Sequence, residues 1–189
     1  MIGTSKDIKY PGLNILPPGV ERHVVNGGAL TAFQIFPDDE LEIINNEGNQ
    51  ICEIICFNKD GKSDVGILNL KSNNEKNFIR NILNGKDETI LATNHQLKKR
   101  NLNISDSKSS IIFDTDTKAG ESIKFKSKDK CYAIFAAPGE DMDVTNQNPP
   151  SDLTIFIKRS KIVNDKELNV IPDPVFEPSY EENINKQTS

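Results

Sequence analysis

The sequence holds two histidines and three cysteines among 189 residues, with no excess of positive charge. Each shortage removes a class of function. Three cysteines, an odd number, do not suggest a disulfide framework and fit a reducing compartment, with the thiols as small core residues. His23 and His95 stand alone, without H-x-H, H-x-x-x-H or C-x-x-C spacing, so no metal ligand set is nominated, and no catalytic set either. A formal net charge of −5 and a pI near 5.2 leave no basic field to attract phosphate backbones or an anionic membrane, and nucleic acid is not expected as a partner. No apolar run approaches the ~20 residues that span a bilayer, and nothing at the N-terminus pairs a basic segment with an apolar core. The expectation is a cytoplasmic protein with no membrane partner.

What the sequence does contain is β patterning in two blocks, and the stretch 23–58 is its most informative part. Residues 1–20, with Pro11-Gly12 and Pro17-Pro18-Gly19, describe an extended arm. Ala29–Phe36 and Leu41–Asn45 alternate as strands on either side of Pro37-Asp38-Asp39, which predicts a hairpin. Gln50–Phe57 is a third strand, closed by a turn at Asn58 to Gly61. A helix is expected over 73–84, from a Ser72/Glu75 capping box, the stripe Phe78, Ile79, Ile82 and Leu83, and Gly85 as a left-handed C′ residue. A second helix follows from Asp87 through Ile90, Leu91 and Leu97, its stripe interrupted by Asn94. Strands resume at Ile111–Phe113 and Glu121–Lys126. The fully apolar Cys131–Ala137 reads as a central, twice-buried strand, and Asp152–Lys158 as one more. Lys124, Lys126, Lys128 and Lys130 describe a solvated strand face. Pro172, Pro174 and Pro178 with Glu177, Glu181 and Glu182 make 163–189 a Pro/Glu-rich linker or tail, as though the chain were a fragment. These elements predict a mainly β domain over 21–162, a β-sandwich or distorted barrel with one or two short helices inserted mid-chain, whose halves 24–58 and 110–158 could be its two layers.

The candidate functional residues cluster in the first block. Cys52 and Cys56 would stand ~13 Å apart on a strand, too far for one tetrahedral ion, and read as core thiols. Glu53 shares the opposite face with Ile51, Ile55 and Phe57. A carboxylate among apolar residues is costly unless paired, and is therefore the leading functional candidate. Asn26-Gly27-Gly28 reads as a turn whose backbone N–H groups could also cradle an anion. Glu140, Asp141 and Asp143 read as a solvated acidic loop.

The pattern Gly27-Gly28-Ala29, Phe33, Pro37-Asp38-Asp39, Leu41, Glu47-Gly48-Asn49-Gln50, Glu53 and Phe57-Asn58 resembles the opening of urea-carboxylase-associated domains. Gly48, Gln50 and Asn58 match that family, and Glu53 stands where an Asp is usual. The resemblance implies a β-rich fold and involvement in the breakdown of small nitrogen compounds. It is similar also to the N-terminal region of longer proteins carrying a glycine-cleavage T-type aminomethyltransferase, which implies a following transferase domain or partner chain that could bind tetrahydrofolate, with no cofactor in this region. A Cys-Gly-x-His-type segment of active relatives has no counterpart here. The expectation is therefore a non-catalytic accessory or small-molecule-binding domain of one-carbon or methylamine-type catabolism, with Gln50, Glu53, Asn58, Gly27 and Gly28 as ligand-binding candidates around an interior pocket. The alternative is a C–N hydrolase or deiminase of the urea-carboxylase-associated type, using a metal or an acid/base carboxylate, with Glu53 and a histidine in the leading roles.

Overall fold

The computed structural model describes residues 16–73, 77–139 and 149–161. Among them are eight strands: β1 Val20–Val25, β2 Leu30–Ile35, β3 Glu40–Asn45, β4 Cys52–Phe57, β5 Ser109–Ile112, β6 Glu121–Lys126, β7 Cys131–Ala136 and β8 Leu153–Lys158. They form two four-stranded sheets, ordered β1-β8-β3-β6 and β2-β7-β4-β5. Every paired neighbour is antiparallel. The chain thus changes sheet at every corner except between β4 and β5, which is the double Greek key of a jelly roll. The expected mainly β sandwich is what the chain forms.

This alternation corrects two local expectations. The turn at Pro37 to Asp39 closes no hairpin, because β2 and β3 lie in different sheets. It is a corner, whose backbone pairs with Ser127: Asp38 N–H donates to the Ser127 carbonyl and Ser127 N–H to the Asp39 carbonyl, each at 2.9 Å. Nor is each half of the sequence one layer. Both sheets take two strands from the first block and two from the second. The apolar run from Cys131 does take an interior place, between β2 and β4, where both its faces are covered.

The inner core joins Val25, Leu41, Ile43, Leu153, Ile155 and Ile157 of the first sheet to Ile35, Cys52, Ile54, Cys56 and Phe135 of the second. A second cluster lies on the outer face of the second sheet, where Leu30, Ile55, Phe57 and Ile134 meet Ile79, Leu83 and Leu97. Those last three come from helices α1 (Phe78–Leu83) and α2 (Glu88–Lys99), inserted between β4 and β5. β4 is consequently buried along its whole length. The first sheet shows its outer face to solvent, with Lys158–Glu40 at 3.0 Å, Lys124–Glu42 at 3.5 Å and Lys126–Asp38 at 2.9 Å. Such exposed pairs contribute at most about 1 kcal/mol each.

The helices are terminated differently from their sequence signals. α1 starts at Phe78 after Asn77, which offers no side-chain cap, and Glu75 of the expected capping box lies outside the described residues. The Glu53 carboxylate instead accepts the Ile79 N–H at 2.5 Å. Gly85 is absent from the positive-φ residues; its Cβ would stand 2.5 Å from Ile90 Cδ1, so it is small to admit α2. Asp87 caps α2 by accepting the Ile90 N–H at 2.9 Å. Asn94, which interrupts the apolar stripe, donates to the Leu83 carbonyl at 2.8 Å and satisfies the end of α1. We expect Asn94→Ala to lower the unfolding free energy by about 1 kcal/mol in urea denaturation. Wild-type stability would contradict this role.

Candidate functional site

At the edge where β1 and β2 face each other, Glu21 and His23 of β1 meet Phe33, Asp39 and Arg159 from distant parts of the sequence. His23 projects from β1 over the ring of Phe33 on β2, with centroids 4.1 Å apart, and Phe33 in turn lies 5.7 Å from Phe135 in the core. Its Nε2 is 3.0 Å from Glu21 Oε2. Both side chains keep about a third of their surface exposed, 31% for His23 and 35% for Glu21. With the proton on Nε2, the imidazole donates to Glu21 and presents Nδ1 as an acceptor.

Glu21 is itself held. Arg159, just after β8, grips it through Nε to Oε1 at 2.7 Å and Nη2 to Oε2 at 2.8 Å. Arg159 Nη1 donates to Asp39 Oδ2 at 2.7 Å and to the Gln34 carbonyl at 2.9 Å. Asp39 is fully buried and also accepts the N–H groups of Phe36 and Ser160. Burial opposes ionisation of Glu21, but hydrogen bonds from Arg159 and His23, aided by their charges, hold its pKa below the usual 4.5. Burial likewise opposes the charge of Arg159, and its two carboxylate partners outweigh it. A histidine backed by an oriented carboxylate is an arrangement suited to proton transfer. Of these residues only His23 was weighed for chemistry in the sequence; Phe33 and Asp39 entered through the resemblance pattern, and Glu21 and Arg159 carry no shared spacing that would join them.

The residues nominated in the sequence are spread over three places. Gln50 is 4% exposed. Its amide donates to the Ile51 and Pro138 carbonyls, each at 2.9 Å, and its Oε1 accepts the Ser151 N–H at 2.8 Å. It clamps the entry to β4, the exit of β7 and the approach to β8, and lines an open cleft of about 280 Å³ with Glu47, Gly48, Thr115 and Pro150. Glu53 is outside that lining, fully buried under α1 on an interior strand. It faces the helices, His23 faces the sandwich interior, and His95 is exposed on α2. Asn58 Oδ1 accepts the N–H groups of Asp60 and Lys62, which shapes its turn. The Gly27 N–H already donates to Asp152 Oδ1 at 2.9 Å, and Gly28 takes the left-handed φ of +78° that the turn needs.

Cys52, Cys56 and Cys131 are buried in the inner core, as core thiols should be. Burial, with Glu53 nearby, pushes the Cys52 thiol far up; a hydrogen bond with Cys131 and then burial do the same for Cys56. Among the described residues no three His, Cys, Asp or Glu side chains are grouped to hold a metal ion. Glu140, Asp141 and Asp143 lie outside the described residues, as do 163–189 and most of the N-terminal arm. No helix among the described residues is long and apolar enough to cross a membrane.

No family model matches the chain. Over 182 residues, 96% of its length, it is 30% identical to a Ruegeria pomeroyi protein named trimethylamine-oxide aldolase. The chain spans 23% of that protein. A solved structure of a DUF1989 family protein from Silicibacter pomeroyi is similar at a TM-score of 0.41 and 10% identity, over 86% of this chain and 87% of that one. The sequence relative overturns one expectation: it is named as an enzyme, so a purely non-catalytic accessory role does not stand. The theme of small nitrogen compounds does agree with its name.

Arg159 offers the direct test of the network. Arg159→Met strands the buried Asp39 carboxylate and should cost about 3 kcal/mol in denaturant unfolding at neutral pH. Because the folded pKa of Glu21 is lowered, its contribution is full above about pH 4.5 and is lost as pH falls through the folded value. The difference between wild type and Arg159→Met should therefore shrink in acid, and a pH-independent difference would contradict the network.

Proposed function

We propose that this chain forms part of an enzyme that cleaves a carbon–nitrogen bond of trimethylamine oxide, or a close methylated amine oxide, in an aldolase-type reaction. The observation that carries this reading is the 30% identity running through 96% of the chain. Because the chain spans 23% of the relative, the activity is assigned to the whole protein that contains it.

The chemistry narrows the role of the site. An aldolase releases an aldehyde, and the only carbons of trimethylamine oxide are methyl carbons. Atom balance then gives formaldehyde and dimethylamine: the N–O bond and one C–N bond break, a C=O bond forms, carbon is oxidised and nitrogen reduced. No external oxidant is needed. One proton must leave the reacting methyl carbon and one must reach the departing nitrogen. His23, backed by Glu21 and partly exposed at the sandwich edge, is a pair equipped to exchange it. A following tetrahydrofolate-dependent transferase domain would suit this reaction, since it could take up the released one-carbon aldehyde. In this reading the urea-carboxylase-associated resemblance of residues 27–58 belongs to a wider group of domains acting on small nitrogen compounds.

The full-length protein carrying this chain, supplied with ¹³C-methyl trimethylamine oxide and followed by NMR, should yield formaldehyde and dimethylamine in equal amounts. Folded protein that leaves the substrate intact, or that releases ammonia from a guanidine or urea compound instead, would overturn the reading.

A further inference from the structure

A second cleft, of about 310 Å³, lies on the helix-covered side of the second sheet, away from the inner core. Its floor follows from register. Gln34, Tyr132 and Phe57 are partners in one cross-strand row of β2, β7 and β4 and so share the outer face. The end of α2 places Arg100 over this row, with its guanidinium carbon 4.7 Å from the Tyr132 ring centroid. The turn after β4 contributes Asn58 and Lys59, and Lys130 enters from the start of β7.

The lining has three cations and no carboxylate, in a chain whose net charge is −5. Lys59, Arg100 and Lys130, the last with its ammonium 5.3 Å from the Phe36 ring centroid, stand around one concavity and would each attract a bound anion. Arg100 adds a second observation. Its Nε is buried with no hydrogen-bond partner among the described residues, an omission native proteins rarely tolerate without a ligand, water or ion. Asn58 uses its carbonyl oxygen on the turn, so the donors it has to offer are the Nδ2 hydrogens. Burial keeps the Tyr132 phenol protonated to higher pH, against the charge of Arg100 and a hydrogen bond with it, and the hydroxyl hydrogen can donate to an oxyanion.

We propose that this cleft binds the carboxylate or phosphate group of a small anionic metabolite, with Arg100 as the principal contact and Lys59, Lys130, Asn58 and Tyr132 around it. A guanidinium presents paired N–H donors matched to two oxygens of such a group, and the cleft is of small-ligand size. Trimethylamine oxide carries no net negative charge, so this site is separate from the one argued for the reaction. Three consecutive basic residues end α2: Lys98 and Lys99 are exposed, and Arg100 turns over the aromatic floor.

The full-length protein should be titrated with inorganic phosphate and, separately, with malonate, by calorimetry at constant ionic strength with chloride as the reference. We expect saturable binding of at least one of them, weakened tenfold or more by Arg100→Leu and measurably by Lys59→Ala, with Arg100→Lys between wild type and Arg100→Leu. Lys59 is exposed, so its variant remains informative should Arg100→Leu not fold. Lys124→Ala, on the far sheet, should bind as wild type does. Binding of phosphate alone or malonate alone supports the site and names its group. Absence of saturable binding to both, or equal weakening by Lys124→Ala and Lys59→Ala, would overturn it.

Discussion

Arg159 is the interaction on which the β1–β2 edge depends. Removing a guanidinium and a carboxylate from water costs several kcal/mol per ion, and the loss is offset only when nearly every donor finds a partner. That condition is met: Nε and Nη2 hold Glu21, and Nη1 holds Asp39 and a backbone carbonyl of β2. One side chain thus ties β1, the corner between β2 and β3, and the end of β8. His23 inherits its position from this tie, because Glu21 cannot swing away while both its oxygens are engaged. The result is a partly exposed imidazole whose Nε2 is held against Glu21.

The same reasoning explains which parts of the fold were legible beforehand. Strand identity came from local pattern: alternation at Leu41 to Asn45 and at Glu121 to Lys126, and the unbroken apolar run from Cys131, each report the burial of their own faces. Strand partnership was not legible, because a corner and a hairpin share the same turn residues. Pro37-Asp38-Asp39 satisfies either, and the choice is made by Ser127, far along the chain. The start of α1 was not legible for a related reason. The helix begins at Phe78, after Asn77, and its Ile79 N–H is taken by a carboxylate 26 residues earlier, which no local rule reaches.

Glu53 shows how a sound physical premise can point to a different consequence. A carboxylate on an apolar strand face needed a partner, and it has one in the helix backbone of α1, so its burial serves the docking of the insertion on β4. Gln50 is similar, with a clamp's three hydrogen bonds at the lip of an open cleft. The Glu21–Arg159–Asp39 network was invisible because its members lie 138 and 120 residues apart and meet only when the jelly roll closes. Antiparallel pairing of β1 with β8 is what brings residue 159 beside residue 21.

The proposed function joins two independent observations. The reaction class is proposed from similarity to a protein named trimethylamine-oxide aldolase, and the edge network holds a His23–Glu21 pair suited to moving a proton. The claim that joins them is that His23 exchanges a proton during turnover. The most direct measurement is the pH dependence of kcat/KM for formaldehyde release by the full-length wild type and His23→Gln, with thermal unfolding recorded for both. The account predicts a fall of about 100-fold or more and loss of one limb of the pH profile, with unfolding unchanged. A variant that turns over at the wild-type rate with the wild-type profile would contradict it.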